Sequence, residues 1–315
     1  MGFLDDPYTK CLEVTHLEDA SFKSISCLEF SPSGRYLLVG GDGGELRVLE
    51  TSTGALVYST SVEDGVVTAL WHPSAKRDFF FGTNKGAFLV RKFEVYSFSL
   101  PQSQEGHPIF SGLKGQVYAL AFDATQELLA VGISEEIHIT KRLANWYSTA
   151  VILSSPQAER PHAPVLIDDR IRAKSLHFSR KGRQLIVSYL AHGIICWDTK
   201  TGDSIWRIVP AHASQLIGYT ALSPDRRYIL LSNLTDGMDL YEISKPYIIR
   251  SFRHGGAGQD NNFPLMPRFL HGGSSVTGGT LDGEVKIWKT TTGECVGTLQ
   301  HECELYHYHS ITPLA

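Results

Sequence analysis

The feature that most constrains the fold of this chain is a four-strand pattern that recurs six times. Its best copy runs from Ser26 to Val57, SCLEFSPSGRYLLVGGDGGELRVLETSTGALV. Apolar runs and alternating segments predict four short strands, and the Ser-Pro-Ser-Gly, Gly-Gly-Asp-Gly-Gly and Thr-Gly segments predict tight turns between them. The unit is therefore interpreted as a four-stranded antiparallel meander.

Five later copies follow the same pattern to near the end of the sequence. The last apolar residue of each predicted first strand serves as an anchor, and neighbouring anchors are separated by 41 to 56 residues. The anchors are Phe30, Trp71, Phe122, Phe178, Leu222 and Phe269. Because the copies follow one another without an intervening segment of different character, we predict that residues 1–315 form a single repeat domain.

The composition argues against several classes of protein. With 42% hydrophobic and 20% charged residues the chain can bury a core without disulfides, and its net charge of −4 provides no basic excess for direct nucleic-acid binding. The five cysteines form no CxxC pair, which favours reduced thiols in the cytoplasm or nucleus. No apolar run is long enough for a membrane helix, so we predict an intracellular protein that does not enter membranes.

Three short motifs resemble the tryptophan-aspartate (WD) repeat family. Trp197-Asp198 ends the third strand of one copy, Ile287-Trp288-Lys289 takes the same place in another, and Leu281-Asp282-Gly283 matches the family's turn. The resemblance implies an all-β propeller built from four-stranded antiparallel blades. Leu49-Glu50 and Tyr241-Glu242 replace the Trp-Asp pair in two other copies, so we expect those blades to depend mainly on apolar packing.

The predicted propeller has six complete blades and an incomplete seventh. The seventh is assigned to one strand before the first repeat, Lys10–Thr15, and one after the last, Leu305–Thr312. We interpret this as a seven-bladed design whose chain stops early, and the alternative is a six-bladed ring with loose ends.

Three insertions lengthen the repeat, and insertions are where a repeat fold usually places its function. Ser154–Arg172 and Arg253–Pro267 connect successive blades at one end of the ring, whereas Phe93–His107 belongs to the other end. Aromatic and arginine side chains often dominate interfaces, although each could instead pack between blades or be solvated. The predicted partner-binding residues are Trp146, Tyr147, Arg172, Lys174, Tyr219, Asn262 and Arg268.

The sequence predicts no catalytic, cofactor or metal site. The glycines at 41–44 resemble part of a phosphate loop, but no helix follows them, so they are interpreted as a hairpin turn. His301, Cys303, His307 and His309 have suitable side chains for zinc, yet an ordinary strand explains their alternation, and we predict that they bind no metal.

Two classes of function remain. The first is a non-catalytic scaffold that presents one face of the propeller to a protein or peptide and is monomeric apart from that partner. The second is a propeller enzyme or small-ligand binder that uses the central channel. The predicted innermost strands are mostly apolar or small and contain only one acidic residue, Glu29, which favours the scaffold.

Overall fold

The computed structural model describes residues 24–74, 78–85, 88–92, 115–143, 146–156, 170–210, 216–254, 265–280 and 283–300. These residues form six antiparallel sheets, each a meander in which consecutive strands are hydrogen-bonded neighbours. The fold is an all-β propeller of four-stranded antiparallel blades, as the repeated pattern predicted.

The first three blades contain eleven strands in the described residues. Blade 1 consists of β1 (Ile25–Phe30), β2 (Tyr36–Gly41), β3 (Glu45–Glu50) and β4 (Leu56–Ser61). Blade 2 contains β5 (Val66–Trp71), β6 (Asp78–Thr83) and β7 (Phe88–Lys92). Blade 3 consists of β8 (Val117–Asp123), β9 (Leu128–Ile133), β10 (Glu136–Leu143) and β11 (Trp146–Ile152).

The last three blades each contain four strands. Blade 4 consists of β12 (Ala173–Ser179), β13 (Gln184–Tyr189), β14 (Gly193–Asp198) and β15 (Ser204–Ile208). Blade 5 consists of β16 (Thr220–Leu222), β17 (Tyr228–Ser232), β18 (Gly237–Glu242) and β19 (Ile248–Arg253). Blade 6 consists of β20 (Arg268–Leu270), β21 (Ser275–Gly279), β22 (Glu284–Lys289) and β23 (Cys295–Gln300), with a short 3-10 helix, His271–Gly273, after β20.

The predicted blade count is wrong in one respect. Five blades, not six, are complete in the described residues, because the sheet of blade 2 has three strands there. This repeat is the one lengthened by the insertion at Phe93–His107, which lies outside the described residues. The two strands assigned to an incomplete seventh blade, Lys10–Thr15 and Leu305–Thr312, also lie outside them.

Local sequence explains the strand ends in the best-preserved repeat. β1 begins and ends where its apolar pattern predicted, and the glycine-rich stretch forms the turn between β2 and β3. Gly44 has a φ of +88°, and a Cβ at this position would lie 2.1 Å from the carbonyl oxygen of Val62. The interpretation of these glycines as hairpin residues is therefore confirmed.

Hydrophobic clusters lie between neighbouring blades. Leu38 and Leu46 of blade 1 share a cluster with Val66 and Phe79 of blade 2, and equivalent clusters join each following pair. The side chains of these four residues are fully buried. Neighbouring blades from blade 1 to blade 6 therefore bury apolar faces against each other, which is the packing expected of a repeat fold.

Blade 5 also contains a buried polar network that the expectation of apolar packing did not include. Asp239 is fully buried and accepts hydrogen bonds from Asn233 Nδ2 at 2.9 Å and Ser251 Oγ at 2.6 Å. Arg253 Nη1 lies 3.1 Å from the same carboxylate and 2.9 Å from Asp236. The network compensates the buried charge and holds the turn between β17 and β18.

Candidate functional site

The innermost strands of the six blades surround one central cavity. β1, β5, β8, β12, β16 and β20 all contribute to its wall, and its volume is about 700 Å³. Because each blade is a meander of the same order, these strands all begin at the same end of the ring. We call this the upper end, and the turns between second and third strands lie there too. A cavity of this size is in the range that proteins use for ligands or inserted side chains.

Lys174 and Tyr219 lie at the upper mouth of the cavity. Lys174 is the second residue of β12, and Tyr219 directly precedes β16. The ammonium nitrogen of Lys174 lies 4.7 Å from the centre of the Tyr219 ring, which is a cation–π distance. Arg172, two residues before Lys174, is partly buried, and its carbonyl oxygen accepts a hydrogen bond from the backbone amide of Leu190 at 2.9 Å.

The charge of Lys174 is destabilised at this position. Burial lowers the pKa of Lys174 to about 8, and the positive charge of Arg172 acts in the same direction. No ion pair or side-chain hydrogen bond of Lys174 occurs within the part of the chain that the structure describes, and the Tyr219 ring is its attractive contact. A perturbed cation in a cavity wall is a candidate functional group.

Three ionisable side chains lie at equivalent positions deeper in the cavity wall. Glu29, His177 and Arg268 each directly precede the anchor residue of their innermost strand. Burial raises the pKa of Glu29, and the guanidinium of Arg268 acts in the opposite direction. Burial lowers the pKa of His177 to about 4, with further repulsion from Arg268 and Arg226. The wall is therefore more polar than its strand sequences indicated.

His177 belongs to a polar seam between blades 4 and 5. Its Nε2 lies 3.1 Å from both the carbonyl oxygen and the hydroxyl of Thr220. A carbonyl oxygen only accepts, so Nε2 carries a proton, and the lowered pKa of His177 keeps the ring neutral at pH 7. The Thr220 hydroxyl also contacts Ser188 Oγ at 2.7 Å, and the Thr220 amide donates to Ser175 Oγ at 2.9 Å. These bonds hold the two innermost strands in register.

The structure does not bring all the predicted partner-binding residues together. Lys174, Tyr219 and Arg268 line the cavity, and Arg172 is adjacent to Lys174. Trp146 and Tyr147 begin β11, the outermost strand of blade 3, which starts at the opposite end of the ring.

The ring of Tyr147 makes an edge-to-face contact with Phe80 of blade 2, with centres 5.7 Å apart. Burial also raises the pKa of Tyr147 to about 12. The side chain of Tyr147 therefore packs between blades 2 and 3. Asn262 lies outside the described residues. The predicted set therefore divides into an upper group and a pair at the lower end.

Several side chains that join the blades were not predicted from the sequence. Trp71 Nε1 donates to the carbonyl oxygen of Glu29 at 2.8 Å, and Arg226 Nη1 donates to that of Phe178 at 2.7 Å. Position in the repeat provides a signal for Trp71, because it is the anchor residue of its strand. A signal for the layer of ionisable side chains also exists, because Glu29, His177 and Arg268 occupy the same position in their copies of the repeat.

The described residues also bear on metal binding and on membrane insertion. Within them no group of three His, Cys, Asp or Glu side chains has a geometry for a metal ion. The four residues that were predicted to bind no metal lie outside the described residues; they are His301, Cys303, His307 and His309. In the same part of the chain, no helix has the length and apolar character needed to span a membrane.

Comparison with known proteins agrees with the architecture. Residues 10–74 match the family model described as the anaphase-promoting complex subunit 4 WD40 domain. No curated protein matches the chain closely enough to count as a relative. The matched stretch includes all of blade 1 and the first strand of blade 2, and the same meander recurs in the later blades. The repeated blades and this match both support the resemblance of the chain to the WD-repeat β-propeller family.

Proposed function

We propose that this propeller is a non-catalytic scaffold that binds a protein or peptide at its upper end. The observation that carries the proposal is the contact of Lys174 with Tyr219 at the upper mouth of the cavity, with the charge of Arg172 acting on Lys174. Tyrosine and arginine are enriched at protein interfaces, where aromatic and cationic anchors supply much of the binding energy. WD40 domains generally mediate protein interactions, and the matched family model describes a domain of a complex subunit.

The chain topology also favours the upper end of the ring as the binding face. The connections from β11 to β12 and from β19 to β20 leave an outermost strand and return to an innermost strand, so both begin and end at the upper end. They contain the insertions Ser154–Arg172 and Arg253–Pro267. Long connections at the end of a rigid scaffold are common sites of recognition. The proposal includes an intracellular location, a monomer apart from its partner, and no direct contact with nucleic acid.

Site-specific photo-crosslinking tests the proposal directly. A benzophenone amino acid at Arg172 is expected to capture a partner protein from native lysate. The matched control carries the same group at Lys200, an exposed residue of the β14–β15 turn at the lower end. Equal capture from both positions, or capture from Lys200 alone, would show that the upper end is not the binding face. Prior nuclease treatment should leave the crosslink at Arg172 unchanged.

A small-ligand site in the central cavity is the second candidate function. One observation favours it: Glu29, His177 and Arg268 form a layer of ionisable groups inside a cavity of about 700 Å³. Charged and aromatic groups converging in such a cavity can orient a small ligand. Native mass spectrometry of the protein purified from its own cells distinguishes this candidate, because a resident ligand adds a defined mass that denaturation releases.

A further inference from the structure

The upper mouth combines an isolated buried cation with exposed apolar surface. The aliphatic stem of Lys174 lies in the cavity wall, and its ammonium contacts one face of the Tyr219 ring. Met266 precedes β20 and also lines the cavity, with 45% of its surface exposed. Methionine and tyrosine adapt well to peptide side chains because each offers a large apolar surface. The mouth thus places a positive charge beside surface that favours apolar contact.

The charges around the mouth favour an anion. Arg172 and Lys174 repel each other, and within the described residues the structure provides no carboxylate partner for Lys174. Glu29 and Arg268 lie deeper, next to the anchor residues of their strands, and the guanidinium of Arg268 favours the charged form of Glu29. A carboxylate entering from the upper end would meet the Lys174 ammonium first. Its arrival would replace the solvation that burial has removed from this cation.

The type of cation beside Tyr219 favours a carboxylate over a phosphate group. A phosphoryl group has several acceptor oxygens and is usually bound by a cluster of arginines or by backbone amides at a helix end. Among the described residues, the cation in contact with the Tyr219 ring is a lysine ammonium, with Arg172 beside it, whereas Arg268 Nη2 lies 3.7 Å from Met266 Sδ. The neighbouring methionine suits a carboxylate that belongs to a chain with apolar residues.

We propose that Lys174 binds the carboxylate of a glutamate or aspartate in the partner peptide, with an apolar residue of that peptide against Met266. The proposal rests on the scaffold function proposed above and names the chemistry of its partner. Tyr219 positions the ammonium, and Arg172 adds attraction for the same acidic residue. The expected partner is therefore an acidic peptide segment with neighbouring apolar side chains.

Two matched peptide pools test the proposal without knowledge of the partner. The probes are fluorescein-labelled heptapeptides with glutamate at the centre and leucine beside it, and the same pool with glutamine at the centre. The other positions are random uncharged residues. Fluorescence anisotropy with the full chain is expected to show about tenfold tighter binding of the glutamate pool, since a hydrogen bond between charged groups is worth about one decade of affinity.

Variants locate the preference on the protein. Lys174→Met keeps the length of the side chain and is expected to bind both pools equally. Arg172→Gln is expected to reduce the preference about threefold, because this residue acts at longer range. The control Lys200→Met changes a lysine at the lower end and should keep the full preference for the glutamate pool. Retention of the preference in Lys174→Met would overturn the proposal.

A second readout does not depend on the variants being well folded. In wild-type protein with ¹³C-dimethylated lysines, the pKa of Lys174 is obtained from the pH dependence of its resonance. This pKa should rise when the glutamate pool binds and stay unchanged with the glutamine pool. Saturation of the site by sodium acetate or sodium phosphate, with equal binding of the two pools, would assign it to a free anion and overturn the peptide assignment.

The two proposals fail in different ways. If crosslinking at Arg172 captures a partner while the two pools bind equally, the scaffold function stands and the carboxylate chemistry is wrong. If the glutamate preference depends on Lys174 while crosslinking favours Lys200, the acidic site stands and the upper end is not the face that binds the captured partner.

Discussion

His177 should make the fold sensitive to mild acid. Its pKa in the folded protein is about 4, whereas an unfolded histidine has a pKa of about 6.5. The unfolded chain therefore binds a proton more readily than the folded protein between these values. The stability that the neutral ring contributes is present above about pH 6.5 and is lost as the pH falls through this window towards 4.

The size of the effect follows from the two pKa values. At pH 5 the unfolded histidine is almost fully protonated and the folded one is mostly neutral, so linkage predicts a loss of about 2 kcal/mol between pH 7 and pH 5. Other groups titrate in the same range, including His72 and His254, whose pKa values burial also lowers. The contribution of these other groups cancels when the pH-dependent loss of stability is compared between wild-type protein and a variant that lacks only His177.

The assay compares urea unfolding of wild-type protein and His177→Gln at pH 7 and pH 5. The glutamine amide can still donate to Thr220, where the ring nitrogen now donates at 3.1 Å, but it does not titrate. Wild-type protein should lose about 2 kcal/mol more than the variant, with equal denaturant m values at pH 7. Losses equal to within about 0.5 kcal/mol would refute the assignment of a buried neutral His177.

Four further substitutions test other parts of the structure by the same urea assay. Lys174→Met should stabilise the fold by about 1–3 kcal/mol at pH 7, because the folded pKa of about 8 lies below the unfolded value; the gain should shrink towards pH 10. Gly44→Ala should cost about 2 kcal/mol or more, since its Cβ would meet the Val62 carbonyl oxygen at 2.1 Å. Gly34→Ala, with a φ of +70° and no atom within 4 Å of the added Cβ, should cost about 1 kcal/mol, and equal losses would contradict the steric argument. Trp71→Phe should cost about 1–3 kcal/mol through the lost hydrogen bond to β1, and a loss below about 0.5 kcal/mol would show that this bond is unimportant.

Much of the fold was predictable because each repeat carries its own local signals. The apolar run of β2 and the glycine turn after it are set by short-range preferences of the backbone, so β1 and the β2–β3 turn were located from sequence. The network around Asp239 was not predictable, because its partners Asn233, Ser251 and Arg253 become neighbours only when β17, β18 and β19 pair. The predicted fourth strand of blade 2 follows the insertion at Phe93–His107, which lies outside the described residues.

The candidate site was predicted in part. Lys174 and Tyr219 were selected as interface-type residues, and the register of β12 and β16 explains why they meet. Tyr147 was grouped with them because it is close to Arg172 in the repeat order. Strand direction separates the two: an outermost strand begins at the end of the ring opposite to the one where an innermost strand begins. That alternation was available from the sequence, whereas the depth of Lys174 in the wall was not.

The shared clusters between blades have a consequence for how the ring opens. Because Leu38 and Val66 belong to one cluster formed by two sheets, a blade that unfolds alone also exposes a face of each neighbour. Energetic coupling therefore acts between nearest neighbours, and cooperativity declines with distance along the array. Amide hydrogen exchange in blade 4, which packs through large clusters on both faces, should be slower than exchange in blade 6. The propeller behaves as a chain of linked interfaces in which a local opening spreads one blade at a time.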